Sequence, residues 1–295
     1  MKLSLLELIT FYSLKFFSLF ICQFSRKVSI LFGIVLGDFI RILIPVRKKV
    51  AIQNLKVAFP EKSKHEIDSI IKKCYRHFGI VLMDLFRMAK YNKKNLKLIT
   101  SFNNKDIQKL INNKGGLIIT GHIGNWEMFL PLFGVNQIPF SVVAQFQRNK
   151  GVQKFFNELR EMYGSKIILK GSSSRELINE IQNGRFLGLA SDQNAGKKGL
   201  MVPFFNKNTS LPKGGAVFYL KTKSPMFFCY CVADENYNYK MIVKEFLLGN
   251  YDSKSENKVE DICKLISLDL EGIVSEYPEQ YFWFHRKWPK KIYKN

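Results

Sequence analysis

Residues 114–133 read KGGLIITGHIGNWEMFLPLF. A short apolar run, 116–120, stops at Gly-His-Ile-Gly, and a second apolar run opens at once with Asn-Trp-Glu. The first run is too short for a helix and is bounded by glycines, as a buried strand would be. The second is long enough for a helix over 125–133. A strand that passes directly into a helix is the repeating unit of a covered parallel sheet.

Downstream the same alternation continues. Short apolar runs predict strands at 141–145, 166–169, 186–191, 226–233 and 239–246. Helical periodicity predicts helices at 151–163, 174–183, 213–223 and 257–276, the last with Val259, Ile262, Ile266, Leu270 and Ile273 on one stripe. The expected fold class is α/β, a mostly parallel central sheet flanked by helices. Ligands of such sheets gather beyond the carboxyl ends of the strands, and His122 falls there.

Upstream, Ser63 and Glu66 form a capping box after Pro60. Ile67, Ile70, Ile71, Cys74, Phe78, Leu82 and Leu85 then recur at helical spacing, so this helix is read as packing. The chain begins with two apolar stretches, Leu3 to Cys22 and Val28 to Val46. Glu7 and Lys15 interrupt the first, so a helix lying in a membrane interface competes with one that spans. Arg26, Lys27, Arg47, Lys48 and Lys49 flank the stretches and would stay on the cytoplasmic side. The expected organisation is a membrane-associated helical segment, 1–50, followed by a catalytic domain, 51–295.

Of the 295 residues 46% are hydrophobic and 26 are phenylalanine, so the chain can bury one sizeable core. A formal charge of +22 favours an anionic partner: nucleic acid, an anionic bilayer or an acidic protein. The cysteines, Cys22, Cys74, Cys229, Cys231 and Cys263, are odd in number and scattered, which fits a reducing compartment without a disulfide framework. His65-Glu66 lacks the second histidine of a zinc-protease helix, Ser69 standing in its place. Neither a Gly-x-x-x-x-Gly-Lys phosphate loop nor a Gly-x-Ser-x-Gly elbow occurs, and no metal-ligand spacing is found.

At the strand–helix junction, Glu127 is expected in the first helical turn, where the dipole favours a carboxylate. Gly121 and Gly124 let the loop fold the His122 ring back over that turn. A carboxylate that accepts one imidazole N–H leaves the other nitrogen free as a base, an arrangement suited to activating an alcohol.

GHIGNWE resembles the His-x4-Asp/Glu signature of glycerolipid acyltransferases, in the form typical of the lipid A late acyltransferases, the lauroyl and myristoyl transferases of Gram-negative bacteria. NLKVAFPEKS, SDQNAGKKGLMVPFFNKNTS and YPEQYFWFHRKW resemble further segments of that family in the same order, so the resemblance spans nearly the whole chain. It implies an O-acyltransferase that moves a fatty acyl chain from acyl-acyl carrier protein to a hydroxyl of a lipid A precursor, with no cofactor and no metal. His122 would be the general base and Glu127 its orienting partner. Arg160, in LREMYG, would stabilise an oxyanion or hold substrate phosphate; Arg148, in QFQRN, matches the family's Tyr-Arg pair without its tyrosine. Asp192, Gln193 and Asn125 would shape the site or bind polar groups. Implied partners are acyl carrier protein, the lipid A precursor and anionic inner-membrane lipids, at the cytoplasmic face of the inner membrane. A related glycolipid or phospholipid acyltransferase using acyl-coenzyme A stays open. A nucleic-acid or membrane-surface binding protein is the non-enzymatic alternative; the dispersed basic residues and missing RNA-recognition signatures speak against nucleic acid.

Overall fold

The structure is a computed structural model that describes residues 3–247 and 257–293. Four helices come first: α1 (Leu5–Ile21), α2 (Arg26–Leu43), α3 (Lys48–Ala58) and α4 (Lys64–Phe86). Ser4 and Ser63 close capping boxes with Glu7 and Glu66, satisfying amide groups that a helix start otherwise leaves unpaired. Strand β1 (Thr100–Phe102) lies between two short helices, α5 (Lys93–Ile99) and α6 (Asn104–Asn112). Then come β2 (Gly116–Thr120), α7 (Phe129–Val135), β3 (Phe140–Ala144), α8 (Lys150–Glu161), β4 (Lys166–Leu169), α9 (Ser174–Gln182) and β5 (Phe186–Ala190). The chain continues with β6 (Leu200–Phe204), β7 (Lys207–Leu211), α10 (Gly214–Thr222), β8 (Met226–Ala233), β9 (Tyr239–Phe246) and α11 (Lys258–Glu276).

Among the described residues seven strands form the central sheet, in the order β1-β9-β8-β2-β5-β3-β4. Strand β2 pairs in parallel with both β5 and β8, and β3 with both β5 and β4. Only β8 and β9 run antiparallel, because a short turn at 234–238 joins them directly. The α/β expectation therefore holds, with the six foreseen strands within a residue of their expected places. Strands β2 and β8 are buried along their whole length, as a sheet covered on both faces requires.

Strand β1, which pairs in parallel with β9, was not foreseen, and two further segments differ from expectation. The segment 200–211 forms a separate β6–β7 hairpin, where Pro203 and the polar run Asn206–Ser210 had given no strand signal. Its two-residue turn, Phe205-Asn206, has φ of 48° and 57°, the primed geometry that matches strand twist. The helix expected from residue 125 begins only at Phe129, after a 3-10 turn over Trp126–Met128. The Asn125 amide is spent on the Cys231 carbonyl of β8, 2.7 Å away, so the chain stays tied to the sheet past that point.

The amino-terminal helices pack on the rest of the described chain. At Gly33, Gly37 and Gly79 the backbones of α2 and α4 touch: a methyl at Gly79 would lie 2.1 Å from the Gly33 carbonyl oxygen. Helix α1 lies on α8 through Lys15–Glu158 (3.4 Å) and the Glu7 carboxylate, which accepts the Lys150 amide. The outward faces of α1 and α2 carry most of the exposed large apolar side chains of the described residues, among them Leu5, Ile9, Phe16, Leu31, Phe39 and Leu43. Among the described residues no single helix is long and apolar enough to cross a bilayer; α2 and α3 pass only as a pair, bent by 97°. A spanning helix over Leu3–Cys22 is therefore not found, since Glu7 and Lys15 face α8.

Candidate active site

Strands β2 and β5 are parallel neighbours, so the loops after them emerge side by side, His122 from one and Asp192 from the other. The β2 loop is held on both sides. The Gly124 amide donates to the Gln280 carbonyl, the Asn125 amide to Cys231, and the Phe282 amide to the His122 carbonyl. Gly124 has φ of +61°, and a Cβ there would lie 2.0 Å from the Cys231 oxygen, so no other residue fits. From below, buried His77 of α4 reaches the Gly124 carbonyl through Nε2 at 3.1 Å. Burial lowers the His77 pKa to about 4, so the ring is neutral at pH 7 and donates this bond from an Nε2–H.

The imidazole of His122 is a quarter exposed, and its Nδ1 lies 2.8 Å from Oδ1 of Asp192, which is buried. In the neutral ring that contact places the proton on Nδ1 and leaves Nε2 as the unprotonated nitrogen, an acceptor for the Gln193 amide. Burial works against the imidazolium. The charge and hydrogen bond of Asp192, with a smaller push from Glu127, outweigh it and raise the pKa above its ordinary value. Asp192 shows the mirror effect: burial would raise its pKa, but His122 and Lys287 bring it well below the usual carboxylate range. The Gln193 amide stands 3.5 Å from Nε2. Trp126 meets the His122 ring edge-on at 4.9 Å, and Phe78, Phe282 and Phe284 extend an aromatic wall beyond it.

Glu127 is elsewhere engaged. Arg160 of α8 grips it with Nη2 at 2.6 Å from Oε1 and Nε at 3.2 Å from Oε2, a two-pronged pair with the carboxylate buried and the guanidinium partly so. Burial opposes the guanidinium charge, and Glu127 more than restores it. The carboxylate hydrogen-bonded to His122 is thus Asp192, not Glu127, which acts on the ring only through its field.

A model of the bacterial lipid A biosynthesis acyltransferase family matches residues 2–290. The chain belongs to that family. A lipid A biosynthesis palmitoleoyltransferase of Escherichia coli K12 is 22% identical over 271 residues, 90% of this chain and 86% of that protein. A phosphatidylinositol mannoside acyltransferase of Mycolicibacterium smegmatis is 25% identical over 122 residues, 40% of each chain. The solved 1-acyl-sn-glycerophosphate acyltransferase PlsC of Thermotoga maritima aligns with 84% of this chain and 98% of its own at a TM-score of 0.36 and 14% identity, too loose a likeness to bear on the site.

In this acyltransferase the other sequence-derived candidates are dispersed. Arg148 is exposed in the β3–α8 loop and makes no ion pair among the described residues. Asn125 is buried and turned into the sheet: its Nδ2 donates to the Tyr239 hydroxyl at 2.9 Å, leaving Oδ1 without a partner. Tyr239 gives its own proton to Asp84, which also accepts from Tyr91 and, twice, from Arg26 at the start of α2. A buried network thus runs from the apolar amino-terminal helices to the GHIGNWE loop. Sequence reading had assigned α4 to packing alone and missed both Asp84 and His77. Lys287 was also missed as a site residue. It is 2% exposed, donates from Nζ to the Asp192 carbonyl, and burial lowers its pKa to about 8. A charged residue inside a quoted motif was the available signal.

Proposed function

We propose that this acyltransferase moves a fatty acyl chain from acyl-acyl carrier protein to a hydroxyl of a lipid A precursor, the hydroxyl of an already attached 3-hydroxyacyl chain. The observation that supports it best is the His122–Asp192 pair, which leaves the Nε2 lone pair, touched only by a long contact from the Gln193 amide, beside an aromatic wall. Nε2 takes the acceptor's proton as its oxygen attacks the thioester carbonyl. The tetrahedral oxyanion collapses with cleavage of the carbon–sulfur bond, and the imidazolium returns its proton to the departing thiolate. Asp192 holds the tautomer and stabilises the imidazolium formed. The Gln193 amide, which donates weakly to Nε2 in the resting site, would give up that long bond to the acceptor hydroxyl and donate to the oxyanion instead. The pair Glu127–Arg160 fixes the loop and α8 relative to one another. Trp126, Phe78 and Phe282 offer apolar surface to the acyl chain.

The apolar face of α1 and α2 would lie in the cytoplasmic interface of the inner membrane as a monotopic seat, which their outward Leu, Ile and Phe side chains support. The positive charge would attract the acidic carrier protein and anionic lipids. The mannoside acyltransferase relative keeps a second reading in view, another glycolipid acceptor or acyl-coenzyme A as donor. Membranes carrying the protein, given lipid A precursor or phosphatidylinositol mannoside with each donor, decide between them. Transfer to the lipid A precursor from acyl carrier protein is the expected result, and transfer only to the mannoside would replace this reading.

A further inference from the structure

The carboxyl-terminal strap, residues 280–293, crosses the sheet end after giving the Phe282 amide to His122, and then packs on α3. Asn54 of α3 fixes it there, donating to the Trp283 and His285 carbonyls at 2.6 and 2.7 Å and accepting from the Tyr293 hydroxyl. Between the strap and α3 lies a cavity of about 410 Å³ lined by Lys49, Val50, Ile52, Gln53, Arg286 and Tyr293.

Its electrostatics are one-sided. Residues 39–60 contain Arg41, Arg47, Lys48, Lys49 and Lys56 but no Asp or Glu, and residues 280–295 contain Arg286, Lys287, Lys290, Lys291 and Lys294 but no Asp or Glu. The acids that bound these segments are Asp38, already held by Arg76 and Arg41, and Glu61 and Glu279, none of which lines the cavity. Among the described residues neither Lys49 nor Arg286 has an ion-pair partner; the Arg286 guanidinium lies over the Tyr293 ring at 5.8 Å. His285 reports the same field. Burial lowers its pKa first, and Arg47, His122 and Lys287 together work against the opposing pull of Asp192. Two acid-free basic segments folded against one another repel unless an anion lies between them.

The location narrows the anion. The cavity opens beside the corner between α2 and α3, where Ile42, Leu43, Ile44 and Val46 are exposed. If that apolar edge enters a bilayer, Lys49 and Arg286 stand at headgroup depth. Arg286 is four residues, at most about 14 Å of extended chain, from Phe282, whose amide donates to the His122 carbonyl at 2.9 Å. We propose that this cavity binds a phosphomonoester, and that in the membrane-seated protein it takes the phosphate of a lipid headgroup. As the headgroup subsite of the acyl acceptor the proposal rests on the acyltransferase reading; as a phosphate site it is tested without turnover.

The full chain in detergent is titrated with a short-chain phosphatidic acid, with the corresponding phosphatidylglycerol, and with inorganic phosphate followed by phosphorus NMR. Arg286→Gln and Lys49→Gln should each weaken phosphatidic acid binding about tenfold, the loss of one charge-assisted contact. Lys221→Gln, an equal change of charge at an exposed site on α10, should leave it unchanged. Phosphatidylglycerol, a diester, should bind more weakly. If Arg286→Gln weakens inorganic phosphate as well, and phosphatidic acid binds no better than phosphate, the site stands with free phosphate as its ligand. Wild-type affinity in both cavity variants, or an equal loss in Lys221→Gln, overturns the proposal. Because no acyl transfer is measured, failure of the acyltransferase reading leaves this result intact.

Discussion

Two carboxylates flank the GHIGNWE loop, and their partners set them apart. Asp192 is paired with an imidazole, a group that changes charge within the physiological range. Glu127 is paired with a guanidinium, which does not. The first pair is able to pass a proton; the second is a permanent clamp between the loop and α8. Proximity in sequence points to Glu127, five residues from His122, whereas the hydrogen bond goes to Asp192, 70 residues away. A carboxylate's role follows from the proton affinity of what it touches.

The most severe test of this contrast is removal of the base. His122→Ala should cut acyl transfer by about a hundred-fold or more, up to 10⁴, in protein that still folds, with a lower denaturation midpoint because buried Asp192 loses its imidazole partner. Next, Asp192→Asn should cost about as much, near 10³ in turnover, because an amide oxygen neither enforces the Nδ1–H tautomer nor stabilises the imidazolium. Its pH profile carries the sign. His122 must be neutral to act, and its pKa is raised, so activity in the unaltered protein climbs as pH rises through a value above 6.5. Without the Asp192 charge, burial prevails and the acid limb should move to lower pH.

Glu127→Gln probes the other side. It leaves the partly buried Arg160 against a neutral amide and should destabilise the fold by about 1–3 kcal/mol, read as a lower denaturation midpoint. Turnover of the protein still folded should fall less than in Asp192→Asn, with a smaller shift of the acid limb. A folded Glu127→Gln protein that is less active than Asp192→Asn would invert the comparison. Arg148→Ala should have the smallest effect, within about 0.5 kcal/mol of stability, since the side chain is exposed.

What the sequence made legible follows the range of its physics. Strand and helix periodicity is local, and β2, β5 and β8 lie where their apolar runs placed them. So does His122, at the carboxyl end of β2. The start of α7 was displaced because the Asn125 amide bonds to β8, more than 100 residues on, a contact that no helix propensity encodes. The β6–β7 hairpin was hidden by a Phe-Asn turn in place of the usual glycine. Asp192 was reached only through resemblance, and Lys287, Asp84 and His77 only through their burial. A charged side chain is costly inside a protein unless paired, so burial itself marks it for notice, and burial is tertiary.

The central claim is that Asp192 sets the state of the His122 ring. Nitrogen-15 NMR of labelled imidazole, followed across pH in the unaltered protein, Asp192→Asn and Glu127→Gln, tests it directly. The account predicts a neutral ring protonated at Nδ1 with a pKa above 6.5, a clear fall in that pKa in Asp192→Asn, and a small one in Glu127→Gln. A ring protonated at Nε2, or a pKa that moves with Glu127 and ignores Asp192, would contradict it.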